Sequence, residues 1–263
     1  MTRTIGLIGG MSWESSAEYY RLINEEVRRR LGGHHCARTL MLSVDFAEIE
    51  AMQRAGDWAA AGKLLAGAAR TLEGGGADLV LLCTNTMHHV AAEVEAALTV
   101  PFVHLVDATA ERISAVGLTT AGLLGTRFTM EMDFYRERMR RHGIEVLVPD
   151  DPGRALVHDV IYRELTRGRV EDASRAAYRE VIAELAARGA QGVILGCTEI
   201  TLLVGQQDSP VPVFDSTRIH AERAVDLALA GAGAPGRAAD GGTPGRTGGP
   251  GGAGASAGEV VSG

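Results

Sequence analysis

The feature that most constrains the fold is a short apolar segment that ends in a cysteine and occurs twice in the chain. The first copy, DLVLLCTNTMHH, spans residues 78–89, and the second, GVILGCTEI, spans residues 192–200. A short apolar run of this kind is typical of a strand buried on both faces of a parallel sheet. Cys83 and Cys197 are therefore expected at the carboxyl ends of two strands, where open parallel sheets bind their ligands.

Further matches between the two halves of the chain indicate an internal duplication. Strand-like and helix-like segments alternate in both halves, which predicts parallel, right-handed, helix-covered sheets. In the first helix, Ser15 and Glu18 have the spacing of a capping box, which predicts that the helix begins near Ser15. The matched pairs, which recur at a nearly constant offset, are residues 5–10 with 121–126, 76–77 with 189–190, and 100–101 with 211–212.

The alternation predicts an α/β fold of two pseudo-symmetric lobes, each a parallel four-stranded sheet covered by helices, with the active site in the cleft between them. Residues 1–105 and 215–230 are expected to form the first lobe, and residues 106–214 the second. A pseudo-twofold axis would bring the two repeated cysteines face to face across the cleft. Residues 231–263, of which 13 are glycine, show no hydrophobic periodicity, which predicts a disordered Gly/Ala-rich tail.

Charge and cysteine content exclude several classes of protein. The net charge is −7 and there is no basic stripe, which argues against a nucleic-acid partner. No apolar run reaches membrane-spanning length and no signal peptide precedes the first strand, so we expect neither a membrane partner nor secretion. Three cysteines, Cys36, Cys83 and Cys197, do not make a disulfide framework in a chain of 263 residues. These features predict a protein of the reducing cytoplasm.

The two repeated cysteines are either inert core residues or reactive groups. A lone cysteine at a strand end is more often a small buried apolar residue. Here both occupy the same place in a repeat, and each is followed by threonine and then by Asn85 or Glu199, which favours a function for the pair. A helix that starts beside a thiol favours the thiolate, and its free amides can hold an anion. Neither segment has CxxC or HxxxH spacing, although His88 and His89 follow Cys83 and leave a metal site open.

Two thiols on opposite sides of a small pocket suit the inversion of a carbon centre. One cysteine, as the thiolate, removes a proton from one face, and the other, as the thiol, returns a proton to the opposite face. Pyridoxal phosphate is the usual aid for removing the α-proton of an amino acid, but it needs a lysine for its Schiff base. Lys63 is the only lysine in the chain and falls on an amphipathic helix, so we expect no cofactor.

Three segments, TIGLIGGMSWESSAEYY, VLLCTNTMH and GVILGCTEI, resemble those of the cofactor-independent aspartate/glutamate racemase family. The resemblance covers residues 2 to about 230, and the first segment is most similar to the branch of aspartate racemases and broad-specificity amino-acid racemases. The resemblance implies two α/β lobes with a free amino acid bound in the cleft, an isomerase activity, and neither cofactor nor metal. It also implies a homodimer.

The resemblance implies roles for individual residues as well. Cys83 and Cys197 match the two catalytic acid/base residues of the family. Glu199 takes the place of the histidine found in glutamate racemases, which points to the aspartate-type branch. For Thr84 and Asn85, the alternative is plain helix capping. The residues that match substrate-binding positions are Met11, Ser12, Gln53, Thr84, Asn85, Thr86, Thr198 and Glu199.

One departure from the family bears on the substrate. Aspartate racemases of this family usually carry a lysine that binds the side-chain carboxylate, near the start of the helix after the second-lobe strand. Here that region reads Arg154-Ala155-Leu156-Val157 and contains no lysine. Arg154 is the alternative cation for this carboxylate, although arginine and lysine are not interchangeable in a tight pocket. With Leu156 expected in the pocket, we predict that neutral amino acids compete well with aspartate.

Other functions stay open from the sequence alone. Hydantoin racemisation and maleate-type isomerisation use related two-cysteine clefts, and a non-catalytic amino-acid sensor would keep the cleft without the chemistry. Residues 6–10 are glycine-rich, but they lack the GxGxxG and GK[ST] patterns of nucleotide-binding loops. We therefore predict an amino-acid racemase that acts through Cys83 and Cys197.

Overall fold

The protein is described by a computed structural model that covers residues 2–230. The tail predicted for residues 231–263 lies outside the described residues. Within residues 2–230, no helix is both long and apolar enough to cross a membrane.

The first sheet is parallel, with strand order β2-β1-β3-β4. Its strands are β1 (Ile5–Gly9), β2 (Thr39–Ser43), β3 (Leu79–Leu82) and β4 (Phe102–Val103). The helices between and after these strands are α1 (Trp13–Leu31), α2 (Phe46–Ala55), α3 (Trp58–Gly74) and α4 (Ala91–Glu95), with a 3₁₀ turn at Thr86–Val90. Strands β1 and β3 are buried throughout, as expected for central strands covered by helices on both faces.

The second sheet repeats the first, with strand order β6-β5-β7-β8. Its strands are β5 (Thr120–Gly125), β6 (Glu145–Leu147), β7 (Gly192–Gly196) and β8 (Val213–Asp215). Its helices are α5 (Leu105–Ala115), α6 (Arg127–Glu131), α7 (Asp133–Arg141), α8 (Asp151–Arg163), α9 (Asp172–Ala187), α10 (Ile200–Leu203) and α11 (Ser216–Leu229), with 3₁₀ turns at Leu165–Arg167 and Gln206–Asp208. The predicted fold class, two lobes with parallel four-stranded sheets, is confirmed.

The last helix, α11, returns to the first sheet. Its apolar residues Ala221, Ala224 and Val225 belong to the same buried cluster as Ile5 and Leu7 of β1. The backbone N–H of Arg3 donates to the carbonyl of Ala228 at 3.0 Å, which fixes the end of α11 beside the start of β1. The boundaries predicted for the two lobes are consistent with this packing but stay a prediction.

The start of α1 differs from the sequence prediction. The capping residue is Ser12, whose hydroxyl accepts the N–H of Ser15 at 3.3 Å, and the helix begins at Trp13. The predicted capping box at Ser15 and Glu18 is therefore wrong, and the Glu18 carboxylate instead accepts from Arg21 at 2.8 Å. The chain reaches Ser12 through a sharp turn at Gly10, where a positive φ of 94° brings the Cα so close to the Val44 backbone that no side chain fits.

Candidate active site

A cavity of about 70 Å³ lies where the carboxyl ends of the two sheets meet. That volume holds a few water molecules, at about 10–15 Å³ for each, and therefore suits a small ligand rather than a polymer. Every residue predicted to bind substrate lines this cavity: Met11, Ser12, Gln53, Thr84, Asn85, Thr86, Thr198 and Glu199. Of the two predicted catalytic residues, Cys197 lines the cavity and Cys83 does not.

Cys83 follows β3 directly and is fully buried just behind the wall that Thr84 contributes. Its N–H donates to the carbonyl of Ile8 at 2.9 Å, so the backbone continues the ladder between β1 and β3. The side chain belongs to the apolar cluster of the first lobe, with Leu7 and Leu81. Burial raises the pKa of the Cys83 thiol, because an isolated thiolate is poorly solvated there.

Cys197 follows β7 at the matching position, but its surroundings are polar. The thiol donates to Glu199 Oε2 at 2.9 Å. Burial raises the pKa of Cys197, and the negative charge of Glu199 raises it further by opposing a second anion. The Glu199 carboxylate therefore fixes the direction of the Cys197 thiol and favours its protonated form.

The Glu199 carboxylate connects the two lobes. Besides Cys197, the hydroxyl of Thr198 donates to Glu199 Oε2 at 2.9 Å. From the first lobe, the hydroxyls of Ser12 and Ser15 each lie 3.4 Å from Glu199 Oε1. The hydroxyls of Ser15 and Thr198 also lie 2.5 Å apart, which closes a hydrogen-bond network across the cleft.

His88 fixes the loop that follows Cys83 through both nitrogens of its ring. His88 Nδ1–H donates to the carbonyl of Thr84 at 2.7 Å, and His88 Nε2 accepts the N–H of Leu105 at 3.1 Å. This arrangement requires a neutral imidazole, and burial accordingly lowers the pKa of His88. Between these anchors, the hydroxyl of Thr86 lies 3.0 Å from that of Thr126, a second contact between the lobes.

The cavity contains little charge. Among the residues that line it in the described part of the chain, Glu199 is the one acidic side chain, and there is no lysine or arginine. Apolar side chains cover much of the wall, and Gln53 Nε2 donates to the sulfur of Met87 at 3.0 Å. Within residues 2–230, no group of three or more histidine, cysteine, aspartate and glutamate side chains is arranged to hold a metal ion.

The prediction that Leu156 lies in the pocket is wrong. Leu156 packs against the apolar cluster of the second lobe, and α8 reaches the cavity further along, at Ile161 and Tyr162. Thr166, in the 3₁₀ turn after α8, also lines the cavity. Arg154 is directed elsewhere, because it donates to the carbonyl of Pro149 at 2.8 Å and pairs with Glu131 at 3.2 Å and with Asp151.

Comparison with known proteins identifies the family. A sequence model described as Asp/Glu/Hydantoin racemase matches residues 8–224. The chain belongs to this family. As a member of the Asp/Glu/Hydantoin racemases, it is an isomerase, and its two lobes repeat the fold of the family's solved structures.

Three relatives illustrate the likeness to other racemases. A candidate Asp/Glu racemase from Yersinia pestis is 54% identical, with a TM-score of 0.83 over 86% of this chain and 99% of the other. An aspartate racemase homologue from Pyrococcus horikoshii OT3 is 35% identical, with a TM-score of 0.77 and the same coverage of 86% and 99%. The broad specificity amino-acid racemase RacX of Bacillus subtilis (strain 168) is 26% identical over 60% of this chain and 68% of its own length.

Several cavity residues of this racemase were not predicted from the sequence. Ser15 and Tyr19 follow Ser12 on one face of α1, at the i, i+3 and i+7 spacing that brings side chains to the same side of a helix. That spacing is visible in the sequence and could have identified them. The other cavity residues that the sequence did not reveal are Phe46, Thr126, Ile161, Tyr162, Thr166, Gly196 and Thr217.

Proposed function

We propose that this racemase inverts the α-carbon of a free amino acid by a two-base mechanism in which Cys83 and Cys197 are the acid and the base. The observation that carries the proposal is the duplication itself. Both cysteines follow equivalent strands, β3 and β7, and one small cavity lies at the carboxyl ends of both sheets. No cofactor takes part in the proposed reaction.

The resting protonation of the two thiols sets the first step. Burial raises the pKa of both cysteines, so both are thiols before substrate binds. The ammonium group of a bound amino acid brings a positive charge into the cavity and favours formation of one thiolate, whose proton leaves to solvent as the substrate enters. That thiolate removes the α-proton, and the opposite thiol protonates the other face. The roles exchange when the other enantiomer reacts.

The substrate's polar groups find partners in the cavity wall. The hydroxyls of Thr84 and Thr86, after β3, and the backbone N–H of Thr198, after β7, lie at the cavity wall and are the donors for the α-carboxylate. The same donors stabilise the negative charge that moves onto this carboxylate as the α-proton leaves. Glu199 is the acceptor for the ammonium group. It also accepts a hydrogen bond from the Cys197 thiol and so fixes the direction of that thiol.

We propose that neutral amino acids are the preferred substrates. No cationic side chain lines the described part of the cavity, so the side-chain carboxylate of aspartate would be buried without a partner. An unpaired buried charge costs several kcal/mol, which lowers turnover by orders of magnitude. Of the two named activities among the relatives, the broad amino-acid specificity of RacX therefore fits this cavity better than aspartate racemisation.

A panel of single L-amino acids tests the proposal. Each amino acid is incubated with the protein in D₂O, and the products are separated by chiral chromatography and weighed by mass spectrometry. The proposal requires the D-enantiomer to appear with deuterium at the α-carbon, and neutral members of the panel to match or exceed aspartate in kcat/KM. A protein that binds an amino acid but leaves its α-proton in place would be a sensor and would refute the racemase proposal.

We also propose that the protein is a cytoplasmic homodimer. Trp13 is 69% exposed, and Tyr20 and Met41 are exposed beside it, next to the edge strand β2. An apolar surface of this kind on a soluble protein is a common site of association. Light scattering after size exclusion should give twice the mass of the chain, and Trp13→Lys should give the monomer. A monomeric wild-type protein would refute the homodimer.

A further inference from the structure

A buried hydrogen-bond chain runs from the cavity wall to the first sheet. Tyr19, on α1, lines the cavity and is fully buried. Its hydroxyl lies 2.8 Å from Nδ1 of His220, on α11. Nε2 of His220 in turn lies 2.7 Å from the carbonyl oxygen of Val103, on β4. The chain therefore ties two helices that are distant in sequence to one strand.

The carbonyl oxygen of Val103, at the end of this chain, determines which atom donates in each hydrogen bond. A carbonyl oxygen only accepts, so His220 Nε2 carries a proton and donates it to Val103. Burial lowers the pKa of His220 to about 4, so the ring is neutral and Nδ1 is an acceptor. Tyr19 therefore donates its hydroxyl proton to His220, and the phenol ring is fixed in position.

The Tyr19 ring borders the surroundings of Cys83. Tyr19 and Cys83 belong to the same buried cluster, and burial raises the pKa of Tyr19, so its hydroxyl keeps its proton. Val103, where the chain ends, pairs with Leu81 of β3, two residues before Cys83.

The two cysteines differ in what fixes the thiol. Cys197 is directed by its hydrogen bond to Glu199. Within residues 2–230, the thiol of Cys83 makes no hydrogen bond, so only the packing around it sets its direction. Tyr19 packs in the same buried cluster as Cys83, and its ring is anchored by the hydrogen bond to His220.

We propose that Tyr19, held by His220, is a positioning residue that directs the Cys83 thiol towards the substrate. This proposal rests on the two-base racemisation proposed above. The anchored ring restricts the direction in which the Cys83 thiol can point. A thiol that lies behind the cavity wall must point towards the cavity in order to exchange a proton with the substrate. Misplacement of a reacting group by a fraction of an ångström to one ångström lowers the rate by tenfold or more.

The test uses Tyr19→Phe, which keeps the ring and removes its anchor, together with His220→Leu. The substrate is the best amino acid of the panel described above, with each enantiomer prepared in protiated and α-deuterated form. We expect kcat/KM to fall about tenfold in both directions, since the equilibrium between enantiomers is unchanged. His220→Asn, which retains an acceptor near the Nδ1 position, should restore part of the rate.

The deuterium isotope effects distinguish positioning from a general loss of structure. If proton transfer at Cys83 alone becomes slower, the α-deuterium effect on kcat/KM rises for the enantiomer whose proton Cys83 removes. It falls for the other enantiomer towards the equilibrium isotope effect of transfer from carbon to sulfur, because proton removal by Cys197 is then no longer limiting. A structural defect that weakens both transfers moves both isotope effects in the same direction or moves neither.

Tyr178→Phe is the matched control. Tyr178 is a fully buried tyrosine of the second lobe, but its hydroxyl donates to the carbonyl of Val157 at 2.9 Å and it does not line the cavity. Its loss should leave both isotope effects unchanged. Unchanged activity of Tyr19→Phe, or parallel isotope effects, would overturn the proposal. A wild-type protein that exchanges no α-proton would instead overturn the proposed function, and this proposal with it.

Discussion

The Cys83 half and the Cys197 half of the site share a fold but not an environment. Each half consists of a cysteine after an equivalent strand, β3 or β7, together with the loop that follows. In the Cys197 half, a carboxylate binds the thiol, and the thiol borders the cavity. In the Cys83 half, the thiol lies in an apolar cluster behind the cavity wall. The two thiols therefore occupy matching positions in the two sheets but have different neighbours.

Under the proposed two-base mechanism, a symmetric reaction takes place in a site that is not symmetric. Enantiomers have equal free energies, so the overall equilibrium constant is one whatever surrounds each thiol. The two proton-transfer barriers can still differ, because one thiolate is stabilised by different neighbours from the other. A substitution in one half of the site tests whether the other half changes with it.

Removal of either thiol is expected to have the largest effect. Cys83→Ala and Cys197→Ala should each lower racemisation by about a thousandfold or more, because inversion needs a proton donor or acceptor on both faces. Serine should be nearly as damaging, since a hydroxyl is a weaker acid and base at neutral pH. Chiral chromatography measures the loss, and Cys36→Ala, at an exposed position, is the control. A Cys197→Ala protein with the wild-type rate would exclude the two-base mechanism.

Alkylation separates the two halves more directly. Iodoacetamide should modify Cys197 much faster than Cys83, because Cys197 borders the cavity and Cys83 is fully enclosed. Peptide mapping in a Cys36→Ala background gives the two rates, and a bound amino acid should slow both. Equal rates would mean that the enclosure of Cys83 is not maintained in solution.

Replacement of Glu199 is expected to have a smaller effect, confined to the Cys197 half. Glu199→Gln removes the negative charge that raises the pKa of Cys197, so the midpoint of Cys197 alkylation should move to lower pH. Racemisation should nevertheless fall about a hundredfold, because the acceptor for the ammonium group and for the Ser12 and Ser15 hydroxyls is weakened.

The direction of the alkylation shift is decisive. A midpoint that moves to higher pH in Glu199→Gln would mean that Glu199 accepts the thiol proton in the resting protein. Alkylation of Cys83 should not change, and Glu14→Gln, an exposed residue of α1, should change neither cysteine.

The stability of the protein in acid should depend on three buried histidines of the first lobe and its border, His88, His104 and His220. Burial lowers the pKa of His104 to about 3 and of His220 to about 4. Unfolding restores a pKa near 6.5. The unfolded chain therefore binds more protons below pH 6.5, and stability, complete above that pH, decreases as the pH falls towards 4.

Urea unfolding at pH 7 and pH 5 measures this effect. The free energy of unfolding should fall by about 1–2 kcal/mol for each buried histidine. His220→Leu should be less stable at pH 7 but should lose less between the two pH values, whereas substitution of the exposed His35 should leave the difference unchanged. A pH dependence that is the same in His220→Leu and the wild type would contradict the assignment.

The sequence predicted the parts of the site that depend on strands. A strand ends where its apolar run ends, so the places of Cys83 and Cys197, and of the cavity loops at Thr84 and Thr198, followed from the repeat. Ser12 and Gln53 were placed by resemblance, and both line the cavity.

The parts that depend on the packing of helices were not predicted. Leu156 and Tyr162 are six residues apart on α8, about 9 Å along the helix axis, and the sequence does not fix which turn of the helix approaches the cleft. Burial of Cys83 behind Thr84 depends on side-chain direction at the strand end, about which residue order says nothing. The hydrogen bond between Tyr19 and His220 joins residues at opposite ends of the described chain, and no local pattern connects them.

The smallest expected effect concerns the wall that the second lobe contributes beside Cys197. Thr166 lines the cavity and is exposed, so Thr166→Lys places a cation at its edge without filling the interior. We expect the ratio of kcat/KM for aspartate to that for a neutral amino acid to rise about fivefold, because an exposed ion pair contributes about 1 kcal/mol. Leu156→Lys is the matched control: it introduces the same charge on the same segment, but Leu156 packs against the second-lobe core, so the ratio should not change while stability falls. A shift produced by Leu156→Lys instead would restore the placement expected from the sequence. A wild-type protein already selective for aspartate would show that a cation outside the cavity wall, in a position this structure does not bring to the substrate, compensates for the missing lysine.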